Sequence, residues 1–94
     1  MGRSGGVRAD TVMATVTAFR RLSDDQLEFV VDIDGQERHF WATQFETEVC
    51  PMIEFDDGFY RSLDDSETAY PRLLAASRKL FHGEELAVPY LLTD

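Results

Sequence analysis

From Leu27 to Ile33 the chain alternates with a period of two: Leu27, Phe29, Val31 and Ile33 are separated by Glu28, Val30 and Asp32. Successive side chains of a strand point to opposite faces, so this spacing predicts a strand with one buried face. Asp34-Gly35 follows, a dipeptide suited to the positive backbone angles of a two-residue hairpin turn. Gln36 to Ala42 then returns as a further strand. A turn of that length fixes the register, pairing Ile33 with Gln36, Val31 with Arg38 and Phe29 with Phe40. On the other face Glu28 lies across from Trp41, Val30 from His39 and Asp32 from Glu37. Upstream, Val12 to Leu22 is rich in β-branched residues and is followed by Ser23, Asp24 and Asp25, which favour a turn. It reads as the first strand.

The second half carries helical signals. Thr43 and Glu46 have the spacing of a capping box, and Pro51 would end a short helix near Cys50. Asp56-Asp57-Gly58 marks a turn, and Asp64, Asp65 and Glu67 suit the start of a helix. Proline is best tolerated at the first helical position, so the main helix is expected from Pro71 to His82. Leu73, Leu74, Ser77, Leu80 and Phe81 would share its buried face, with Arg72, Ala75, Arg78, Lys79 and His82 opposite. Gly83 suits the left-handed residue just past its end. Leu86 to Leu92 reads as a closing strand, held to a sheet edge because Pro89 cannot donate to a ladder. The expected fold class is α+β: an antiparallel β-meander of three strands plus a C-terminal helix and a short edge strand. Leu73, Leu74, Leu80 and Phe81 are expected to pack on Leu27, Phe29 and Phe40.

Length and composition fit that picture. Residues 1–10 hold three Gly, one Ser and two Arg without apolar periodicity, and read as a flexible tail. Residues 11–94 are left as a single domain. The chain is 44% hydrophobic, the composition of a folded protein. No apolar run approaches the length of a membrane span, and the first twelve residues lack a secretory apolar core, so a cytoplasmic protein is expected. Gly2 lacks the Ser or Thr that myristoylation needs, since Gly6 stands there.

Charge narrows the functional classes. The net charge is −9, and it is concentrated in the middle: Leu22 to Tyr60 carries eleven acids against Arg38 alone. Met1 to Arg21 is positive by 3 and Arg61 to Asp94 negative by 2. Nucleic-acid binding needs a basic face, which this composition denies. It suits a protein that meets a basic partner, or one that imitates the charge of nucleic acid; plain solubility would explain it as well.

Candidate chemistry is sparse. The doublets Asp24-Asp25, Asp56-Asp57, Asp64-Asp65 and Glu84-Glu85 sit in turns and helix starts, where acids serve local hydrogen bonding. None keeps the spacing of a calcium loop. One cysteine and two histidines exclude an internal disulfide and an all-Cys/His zinc site. Cys50 could be a nucleophile with His39 or His82 as base, but no motif surrounds it and a buried, inert thiol is the expectation. Gly2, Gly5 and Gly6 precede a strand and form no phosphate cradle.

The function expected from these features is a small acidic non-enzymatic protein that binds a basic partner protein, of inhibitor, immunity or anti-defence type. No cofactor or metal is expected. The binding face would be the polar side of the hairpin, Glu28, Asp32, Glu37, His39 and Trp41, where two opposed acids invite a cation and a tryptophan offers apolar contact. Alternatives are a small hydrolase or isomerase using carboxylates of residues 54–67, and a structural oligomer subunit.

Overall fold

A computed structural model describes residues 12–63 and 66–93. The expected tail at residues 1–10 and the helix-starting role of Asp64 and Asp65 lie outside the described residues. Among the described residues there are five strands and two helices: β1 (Ala14–Ser23), β2 (Gln26–Ile33), β3 (Gln36–Phe45), β4 (Met52–Phe55), α1 (Asp57–Leu63), α2 (Ala69–Phe81) and β5 (Tyr90–Leu91). The strands form one antiparallel sheet in the order β4-β3-β2-β1-β5. The fold is α+β, as expected.

The β2–β3 hairpin has the register that its turn dictates. Ile33 pairs with Gln36, Val31 with Arg38, Phe29 with Phe40 and Glu28 with Trp41. Asp34 and Gly35 both adopt positive φ, 53° and 90°, and Asp32 Oδ1 accepts the Gly35 N–H at 2.8 Å. β1 is less regular. Its register against β2 shifts between Val16 and Ala18 and again between Arg21 and Ser23, so one extra residue at Thr17 leaves Phe19, not Ala18, on the side of Val16.

The middle of the chain departs from expectation. No helix forms over residues 43–50; β3 runs on to Phe45 and pairs with β4, Thr43 facing Glu54 and Phe45 facing Met52. Cross-strand pairing overrides the local capping signal, and the connection turns on Thr47, whose Oγ1 accepts the Cys50 N–H at 3.1 Å and donates to the Cys50 carbonyl. Asp56-Asp57-Gly58 is not a simple turn but opens α1. Asp56 Oδ2 accepts the Gly58 N–H at 3.1 Å, and its other oxygen accepts the Trp41 N–H at 2.8 Å. One carboxylate therefore caps a helix and satisfies a strand.

α2 begins at Ala69, two residues before the expected start, with Pro71 in its third position. The first-turn N–H groups lack intrahelical partners, so proline costs nothing there. The helix ends in a Schellman arrangement: Gly83 has φ 82°, its N–H reaches Leu80 O, and the Glu84 N–H reaches Lys79 O. Its buried face is Ala69, Leu73, Ala76, Ser77 and Leu80, while Leu74 and Phe81 are only partly buried. The 3.6-residue period places these two on the flank of the stripe, correcting the expected core set. The closing strand shrinks from Leu86–Leu92 to Tyr90–Leu91, paired with Thr15 and Val16 at the sheet edge.

One core unites these elements. Leu27, Phe29, Val31, Phe40, Ala42, Ile53 and Phe55 project from one sheet face against Phe59, Leu63, Leu73 and Leu80 of the helices. Phe59 meets Phe40 edge-on at 5.6 Å and Phe55 at 4.9 Å between ring centroids.

Candidate functional site

The alternation that buries Phe29 and Phe40 turns their neighbours to the opposite face. By register, Glu28, Val30 and Asp32 of β2 and Glu37, His39, Trp41 and Thr43 of β3 share that side. None of them belongs to the core cluster beneath the helices. Trp41 keeps 37% of its surface exposed, so neither of the described helices covers it.

All five expected binding residues, Glu28, Asp32, Glu37, His39 and Trp41, therefore lie on one sheet face, and Glu28, His39 and Glu37 are in direct contact. His39 faces Val30, which makes Glu28 its diagonal neighbour. His39 Nδ1 lies 2.8 Å from Glu28 Oε2, and Nε2 lies 3.0 Å from Glu37 Oε2. A neutral imidazole has one N–H; only the imidazolium donates to both carboxylates. Those two contacts, Glu28 first, raise the His39 pKa above its ordinary value. The Glu28 pKa is lowered in turn, mainly by His39 and then by Arg20, whose guanidinium donates to Glu28 Oε1 at 2.7 Å. The His39 ring also lies 6.5 Å from the Trp41 ring. Asp32 stands apart, holding the hairpin turn.

The geometry changes the reason for these acids. Asp32 and Glu37 do face each other, but the fold employs both: Asp32 binds the Gly35 amide and Glu37 binds His39. Their repulsion is partly relieved within the chain.

Three further residues of this face were not among those expected. Arg20 reaches Glu28 because the extra residue in β1 shifts the strand by one. Phe45 and Met52 face each other on the Trp41 side of the sheet and are 46% and 51% exposed. Continuing the alternation of Phe40, Trp41, Ala42 and Thr43 along the strand finds Phe45.

The other chemical candidates separate. Cys50 is exposed, not buried as expected, because the connection that carries it runs over the surface. It lines a pocket of about 240 Å³ with Arg78 and His82, while His39 belongs to the sheet face. Within residues 54–67, Asp56 has both oxygens bonded to backbone amides. Among the described residues no group of three or more His, Cys, Asp or Glu is placed to hold a metal ion. No helix among them is long and apolar enough to cross a membrane.

The comparisons with known proteins add no relative: no family model, no curated protein and no solved structure matches the chain.

Proposed function

We propose that the protein is a non-enzymatic binding module whose open sheet face engages a basic surface on a partner protein. The observation that carries this reading is the face that the described residues leave uncovered, where exposed Trp41, Phe45 and Met52 lie beside Glu28, Asp32 and Glu37. Exposed apolar patches rimmed by charge mark interaction sites, and tryptophan is the residue type most enriched at binding hot spots. The net charge of −9 would draw a cationic partner and oppose self-association or contact with phosphate. Inhibitor, immunity and anti-defence proteins work in this way, without turning over a substrate.

The partner is recovered by pull-down from lysate at low and at high salt. Trp41→Ala and Glu37→Lys, each checked for folding by circular dichroism, should weaken capture, and only the charge reversal should reduce its salt dependence. Asp32→Asn removes the charge that faces Glu37 but keeps an acceptor for Gly35. If folded Trp41→Ala and Glu37→Lys capture the partner as the parent does, the open face is not the interface.

A further inference from the structure

A second surface lies at the edge of the sheet, distinct from the open face. β1 is ten residues long, yet β5 pairs only with Thr15 and Val16. From Thr17 to Ser23 the strand has, among the described residues, a neighbour on one side only, β2. Alternate N–H and C=O groups there point outward, and no strand among the described residues receives them, the template for adding another strand. Beside this edge, between β1 and the end of α2, is an open slot of about 230 Å³ lined by Phe19, Arg21, Leu27, Leu80, Gly83 and Glu84. Ligand sites for whole cofactors run from about 300 Å³ upward, whereas an apolar cavity of about 150 Å³ accepts benzene, so the slot fits one large side chain.

Its charges choose the occupant. The Arg21 guanidinium is already spent on the carbonyls of Ser23, Asp24 and Leu80, and Arg20 on Glu28. Glu84 lines the slot, Glu85 follows it, and Asp24 and Asp25 stand in the adjoining turn. None of these four acids is in an ion pair within the described residues. We infer that the β1 edge receives an extended segment of a partner protein, which adds as a sixth strand along Thr17–Ser23. Its one large apolar side chain enters the slot, and flanking Lys or Arg residues meet Asp24, Asp25, Glu84 and Glu85. This is strand addition: backbone hydrogen bonds supply affinity, and the slot and the acids supply specificity.

Random short peptides displayed on phage are selected on the immobilised full chain, and the winners synthesised. The expected winners carry an apolar residue flanked by Lys or Arg. In amide spectra of the isotope-labelled protein they should shift and protect Thr17–Ser23 and Leu80–Glu84. Methylating alternate peptide nitrogens leaves the protein untouched and should weaken binding roughly tenfold or more, the effect of losing one or two net backbone hydrogen bonds. Replacing the flanking basic residues by Glu should weaken it comparably. Winners that are acidic, that map to Glu28 and Trp41 or that tolerate methylation would overturn the inference, as would the absence of any winner. So would a protein that, alone, dimerises with the same amides protected, since the occupant would then be a second copy.

Discussion

His39 has a carboxylate at each ring nitrogen, and the sign of its effect on stability follows from that. Its pKa is raised from an ordinary 6.5, so its contribution is complete below 6.5 and fades as pH climbs through the folded value. Glu28 is lowered from an ordinary 4.5, so its contribution is complete above 4.5 and fades as pH falls through the folded value. Both are in place between these two values. In a ring-proton titration the midpoint of His39 should lie above 6.5 and fall toward it in Glu28→Gln. The stability advantage of the parent over Glu28→Gln should shrink above that midpoint, and an advantage independent of pH would refute the linkage. Asp56 belongs to the same scale. Removing its carboxylate in Asp56→Ala strands the Trp41 and Gly58 amides, and denaturation should show a loss of about 1–2 kcal/mol, the range of helix caps. In Gly58→Ala the new methyl would stand 2.8 Å from Asp56 Oδ2 and should reproduce part of that loss.

At the scale of elements, α2 separates core from flank. Leu73 is fully buried and Leu74 only partly so. Leu73→Ala should therefore cost about 2–5 kcal/mol by denaturant unfolding, and Leu74→Ala about 1 kcal/mol. Equal losses would mean that the helix is rotated from its described face. The hairpin and this helix were legible because each repeats one rule over many residues: strict alternation closed by Asp34-Gly35, and a helical stripe closed by Gly83. Residues 43–63 were not, because their signals are local while their structure is set from a distance. Thr43 and Glu46 look like a cap, but Thr43 is held between Gln26 and Glu54 on neighbouring strands. Asp56 looks like part of a turn, yet it caps α1 with one oxygen and binds Trp41 with the other. That the five candidate residues share one sheet face follows from the hairpin register alone; the position of Arg20 does not, since an extra residue within a strand leaves no mark on the alternation of its neighbour.

At the scale of the whole molecule, both described helices pack on one side of the sheet, and no element among the described residues packs on the other. That asymmetry leaves Trp41, the only tryptophan of the chain, beside a network of paired charges. The most direct test is an amide chemical-shift map of the isotope-labelled chain titrated with the partner recovered by pull-down. If the open face is the interface, the largest changes fall on Glu28, Val30, Asp32, Glu37, His39, Trp41 and Thr43, with Phe45 and Met52 at their border. They shrink as salt is added. Changes centred instead on the outer residues of α2, with Trp41 unmoved, would contradict the account.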